Sequence, residues 1–193
     1  MDLRGILGHG PVEASAPCRI DMGGTLDIST FYYPLHHLRP CTVNIALGMR
    51  TRVRLLPFYK DRVKVSSKGF ESATFQTDKA PFAHPLGLMF AIATYFRAGG
   101  VHIEIESASP PRSALGGSSV AAVALAGALS KASEVLGKGD LLSPSATARL
   151  AHAIEDGGSA VPIVISSSLR FLRDWEGVTG RYSFQSDGNI TGK

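Results

Sequence analysis

The sequence holds little that could staple or anchor it. It has only two cysteines, Cys18 and Cys41, in 193 residues. Neither belongs to a Cys-x-x-Cys pair, which argues against a zinc site or a disulfide framework. Reduced, partly buried thiols of a cytoplasmic protein are the expectation. No window approaches the roughly 18 apolar residues of a membrane span. The best stretch, Val120 to Leu129, is short and rich in alanine. The opening MDLRGILGHGPVEAS lacks the apolar core of a signal peptide. Two familiar phosphate loops are also missing: no lysine follows Gly116-Gly117 as in Gly-x-x-x-x-Gly-Lys-Ser/Thr, and there is no Gly-x-Gly-x-x-Gly.

What is present indicates a globular body. Hydrophobic residues make up 44% and charged residues 19%, enough to bury a sizeable core. The net charge of +4 suits an anionic ligand such as a nucleotide, and it suits nucleic acid too. Arg50, Arg52 and Arg54 alternate, so they would share one strand face, and Lys60, Arg62, Lys64 and Lys68 extend the basic region. Apart from the adjacent pair Phe58-Tyr59, no aromatic residues interleave with these charges, which counts against RNA.

Patterning gives an α+β reading. Residues 1–13 look like a loose leader. Ser15 to Gly24 reads as a short strand running into a glycine turn. Thr42 to Leu47, Thr51 to Leu56 and Arg62 to Ser66 are strand candidates, with Phe70 to Phe75 as a possible continuation. Pro85 to Arg97 has helical spacing, and Gly99-Gly100 follow as a stop signal. Val101 to Ser107 alternates as a strand. A helix is expected from about Ser118 to Leu136, and another from Ser145 to Asp156, capped by Ser143-Pro144. After Asp156 the periodicity fades. Adjacent His36 and His37 would point to opposite sides of an extended segment, so they make poor co-ligands.

Between strand and long helix lies Pro110-Pro-Arg-Ser-Ala-Leu-Gly-Gly-Ser-Ser-Val. A helix N-terminus carries unpaired N–H groups and partial positive charge. Gly116 and Gly117 let a ligand approach the backbone. Ser118 and Ser119 could cap the helix, meet a phosphate oxygen or ligate Mg²⁺. Taken alone, the loop is as good a capped helix start as a phosphate cradle.

A second motif changes that balance. Ala16-Pro-Cys-Arg-Ile-Asp-Met-Gly-Gly-Thr-Leu-Asp27, taken with the glycine-serine loop, resembles the paired motifs of the GHMP kinases, closest to the sugar- and heptose-phosphate kinase branch. The resemblance covers residues 14–156. It implies the family's N-terminal domain, similar to ribosomal protein S5 domain 2, with the C-terminal domain missing. It implies ATP-dependent phosphoryl transfer to a hydroxyl of a sugar or sugar phosphate. ATP and Mg²⁺ would be the cofactors, and nucleic acid a disfavoured partner. On this resemblance Pro111, Arg112, Ser113, Ala114, Leu115, Gly116, Gly117, Ser118 and Ser119 would hold the ATP phosphates. Arg19 would lie near the acceptor hydroxyl, Asp27 would bind a sugar hydroxyl and Asp21 would assist. Ser118, Ser119 and Glu155 would hold Mg²⁺.

The sequence also departs from that family. Ala114 stands where a glycine is usual, Gly117 where serine is common, and Arg112 replaces a small residue. No aspartate lies between Asp156 and Asp174, where the family often has Gly-x-x-Asp. Residues 157–193 are therefore expected to be a divergent, poorly ordered tail, as a frameshift or truncated gene would produce. Weak or absent turnover of this chain is the matching expectation.

Overall fold

The computed structural model describes residues 1–21, 35–38, 44–77, 79–110, 113 and 115–156. Asp27, Pro111, Arg112, Ala114, Cys41 and the segment 157–193 lie outside the described residues.

Helix α1 spans Arg4–Leu7, strand β1 Val12–Asp21, β2 Asn44–Pro57, β3 Arg62–Ser67 and β4 Ala73–Gln76. Helix α2 spans Gly87–Tyr95, strand β5 Val101–Ser107, and helices α3 and α4 Gly117–Val135 and Pro144–Asp156. His36–Leu38 form one 3-10 turn. The five strands make one sheet in the order β1-β2-β5-β3-β4. Only the β3–β5 pair is parallel; the others are antiparallel. Helix α2 and the chain around it make the crossover that a parallel pair requires.

The period-2 pattern decides which face is dry. Thr51, Val53 and Leu55 of β2, Val63 and Val65 of β3, and Val101, Ile103 and Ile105 of β5 are buried. The register pairs them side by side, Val53 with Ile105 and Leu55 with Ile103. Phe90 and Ile92 of α2, Leu125 and Leu129 of α3, and Leu150 of α4 close over this face. The opposite face is polar. There Arg54 sits between Glu13 and Glu104, at 2.8 and 3.1 Å, and Arg50 donates to Ser15 Oγ at 2.9 Å.

Helix α3 is buried almost all round, with six alanines among its buried residues. Small side chains let it lie deep between β1, β2, α2 and α4. A Cβ placed on Gly127 would touch Ala14 Cβ at 3.6 Å and Thr147 Cγ2 at 3.9 Å. Gly127 thus faces the start of α4, and eight residues earlier Ser119 faces its end at Glu155. The two helices are antiparallel neighbours. Ser130 Oγ accepts from the Leu142 N–H at 2.8 Å and ties down their connection.

Three sequence expectations need revision. Residues 1–13 are packed, not loose: Leu3 and Leu7 are buried, Asp2 bridges Gly99, and Val12 already belongs to β1. Gly100 makes room for this segment. It has φ +71°, and a Cβ there would come within 2.7 Å of Arg4 Cγ and Asp2 Oδ1. The two strand candidates around residues 42–56 are one strand, whose pairing with β1 slips between Pro17 and Arg19. Gly48 lies in that slip, and glycine in a strand interior often marks such an irregularity. Helix α2 stops before the expected glycines. Ala98 N–H bonds Ala93 O and Arg97 N–H bonds Thr94 O, both at 2.8 Å, the two bonds of a Schellman ending. Arg97 takes the left-handed position with φ 50°.

Candidate functional site

The slip in β1 and the start of α3 meet at one place. Beyond Pro17 the free edge of β1 runs along the glycine-serine loop, where Arg19 N–H donates to Leu115 O at 3.4 Å. The half-buried Arg19 side chain then lies over the opening of α3. Its Cγ, Cζ and Nη1 would each stand 3.7 Å from a Cβ on Gly116.

Gly116 is the N-cap of α3 and is left-handed, with φ +75°. A left-handed cap cannot place a side-chain oxygen over the first turn as a Ser or Asp cap does. No side chain caps α3, and its first turn carries no acidic residue. The N–H groups of Gly117, Ser118 and Ser119 therefore have no described partner, and the positive end of a 19-residue helix is left open. A Cβ on Gly117 would meet nothing within 4 Å among the described residues. Ser118 and Ser119 prove to be first-turn residues and not caps.

The two serines differ. Ser118 is exposed, with no described hydrogen bond, whereas Ser119 turns inward and donates from Oγ to Glu155 Oε1 at 2.8 Å. Glu155 comes from the last turn of α4, 36 residues away in sequence. A hydroxyl and a carboxylate are hard oxygens of the type Mg²⁺ takes, and Mg²⁺ commonly uses few protein ligands. The pair fits that ion. Ser113 and Leu115 line the approach to the helix as half-buried residues. Only the backbone of Asp21 is described, paired with Asn44 at the end of β1.

Arg19, Leu115, Gly116, Gly117, Ser118, Ser119 and Glu155 are thus brought together from three elements. The sequence alone offered no signal for the Arg19–Leu115 backbone contact, which depends on where the β1 edge lies. Nor could it choose between Ser118 and Ser119 as the neighbour of Glu155.

Residues 86–167 match the family model of the GHMP kinases N terminal domain. The described residues have the fold of a GHMP kinase N-terminal domain. The match takes in α2, β5, the glycine-serine loop, α3 and α4, and continues to residue 167, beyond residue 156 at which the resemblance was expected to end. The Arg19 motif lies before it. Solved structures share the fold. Galactokinase of Lactococcus lactis, complexed with galactose, is 13% identical with a TM-score of 0.55 over 78% of this chain and 38% of its own. A D-glycero-D-manno-heptose 1-phosphate kinase of Bacteroides thetaiotaomicron is 16% identical, TM-score 0.51, over 74% and 47%. Mevalonate kinase of Methanococcus jannaschii is 10% identical, TM-score 0.51, over 80% and 50%. The chain spans half or less of the length of these GHMP-fold structures. Comparison with curated proteins finds no match. No helix among the described residues is long and apolar enough to cross a membrane.

Proposed function

We propose that this GHMP kinase domain holds MgATP at the opening of α3 for phosphoryl transfer to a hydroxyl of a sugar or sugar phosphate. The observation that carries the reading is the Ser119–Glu155 hydrogen bond of 2.8 Å at an uncapped helix start. A purely structural start would be expected to satisfy its own N–H groups, and this one leaves them without a partner among the described residues, beside a hydroxyl, a carboxylate and an arginine.

In this reading the N–H groups of Gly117, Ser118 and Ser119 hold phosphate oxygens. Pro111, Arg112, Ser113 and Ala114 complete the loop around them, as the GHMP resemblance implies. Ser119 and Glu155 would hold Mg²⁺, with Ser118 as an alternative hydroxyl; the ion would supply charge neutralisation on the phosphates. Arg19 stabilises negative charge on the group in transit and orients the acceptor oxygen. Catalysis of this kind is mostly positioning and electrostatics, so placement of the cation-bearing side chains decides the rate. Asp27 and Asp21 are the proposed contacts to acceptor hydroxyls.

A second reading is nucleotide binding without transfer. It is favoured by the lack of any aspartate between Asp156 and Asp174. An RNA role has less support, since Arg54 and Arg50 already serve Glu13, Glu104 and Ser15. A thermal-shift series separates the kinase readings. MgATP should raise Tm, ATP with excess chelator should raise it less, and one member of a panel of hexose and heptose phosphates should add to the MgATP shift. Phosphorylated product marks the transferase, and binding without product marks the second reading. Absence of any ATP-dependent shift rejects both.

A further inference from the structure

A cavity of about 610 Å³ opens at the other end of the sheet, lined by Asp61, Gln76, Thr77, Lys79, Thr94 and Arg97. It gathers where β3 begins, β4 ends and α2 stops. Strand β5 starts beside it at Val101 and finishes toward the glycine-serine loop at Ser107, so the two places are roughly 20 Å apart. Its size lies in the range of small-molecule sites. Every lining residue among the described ones is polar or charged, with two cations against one carboxylate, and Asp61, Gln76, Lys79 and Arg97 are exposed, so the cavity is an open depression.

Two further observations single it out. Asp61 (φ 55°) and Arg97 (φ 50°) are the only non-glycine residues with positive φ among the described residues, and both line this cavity. Arg97 holds the helix-ending position at which glycine is the favoured residue, and it has no short side chain to ease the left-handed backbone. Its backbone role, accepting at O from the Met1 nitrogen, would be met equally by glycine. What glycine could not supply is the guanidinium. Thr77 lines it too, although its buried Oγ1, which has no hydrogen bond among the described residues, lies against Gly99 and not toward the opening. Backbone strain of this kind, held at two lining residues at once, is a feature that persists at ligand sites.

We propose that this cavity is a second ligand site, for a small phosphate ester that carries hydroxyl groups. Arg97 and Lys79 take the phosphate, for which the guanidinium offers a planar pair of donors. Asp61, Gln76 and Thr94 take the hydroxyls. The site shares no residue with the opening of α3 and stands whether or not that opening binds ATP.

Amide NMR of the full chain, titrated with glycerol 3-phosphate, tests it locally. Amides of Asp61, Thr77, Lys79 and Arg97 should shift together and saturate, with a Kd of about 1 mM or below. Arg97→Gly should weaken that response about ten-fold or more while leaving shifts at Gly116 to Ser119 as they are and leaving Tm equal or higher. Lys79→Gln, an exposed change, should weaken it as well. Non-saturating shifts at these amides, or an unchanged Kd in both variants, would overturn the proposal.

Discussion

Helices α3 and α4 lie antiparallel against each other, yet their N-termini are built in opposite ways. Helix α4 starts with Ser143-Pro144. Ser143 Oγ accepts from the Ala146 N–H at 3.2 Å, and its backbone O takes both the N–H and the hydroxyl of Thr147. Proline in the first turn has no N–H to leave unpaired. Helix α3 starts with a left-handed glycine, a second glycine, and no cap. One helix closes its own end, and the other leaves three donors without a partner among the described residues. The same physics of unpaired N–H groups governs both. What differs is whether the chain itself supplies the acceptors, and a helix that does not supply them is free to accept a phosphate.

Substitutions should separate the two ends. The largest effect is expected from Gly116→Val. A β-branched residue at φ +75° is strained by about 1–2 kcal/mol, and its methyl groups would extend beyond a Cβ already 3.7 Å from the Arg19 side chain. Urea unfolding should show that loss, and calorimetry should show MgATP binding abolished. Next is Ser143→Ala, which removes the α4 cap. It should cost about 1 kcal/mol in stability and leave the MgATP Kd unchanged. If Ser143→Ala weakened ATP as strongly as Gly116→Val, the division between a structural and a ligand-bearing start would fail. Gly117→Ala should do the reverse of Ser143→Ala. It adds about 0.5–1 kcal/mol of stability at a helical position, while the added methyl at the first helical residue should crowd a bound phosphate and weaken ATP.

The contrast was partly legible in sequence. Ser143-Pro144 declared a capped start, and Gly-Gly-Ser-Ser declared a permissive one, because these residues act on the backbone next to them. The boundaries of β3, β5, α3 and α4 followed from periodicity for the same local reason. The rest depended on distance in the chain. That Leu3 and Leu7 fill the core, and that Ser119 meets Glu155 while Ser118 does not, follows from how antiparallel helices and a sheet edge pack together. No short window contains that information. The end of α2 was misplaced because Arg97 occupies a glycine position, a local rule broken at the edge of a cavity.

The smallest expected effect lies far from both helix starts, on the polar sheet face. His102 bonds Ser66 Oγ at 2.7 Å, and burial, aided by Lys64, lowers its pKa below the ordinary 6.5. The folded chain therefore resists a proton that the unfolded chain accepts. Stability should be flat with respect to this group above pH 6.5 and should fall as pH drops through 6.5 toward the folded value. His102→Gln should flatten that slope in urea titrations between about pH 5 and 7 without touching ATP affinity.

The most direct test of the central claim is the Mg²⁺ dependence of ATP binding by Glu155→Gln, measured calorimetrically beside the parent chain. Among the described residues Glu155 meets the α3 opening through its hydrogen bond with Ser119. The account predicts that the parent binds ATP more tightly with Mg²⁺ than without, and that Glu155→Gln loses most of that difference while still binding the metal-free nucleotide. An unchanged Mg²⁺ dependence in the variant, or no ATP binding by the parent, would contradict it.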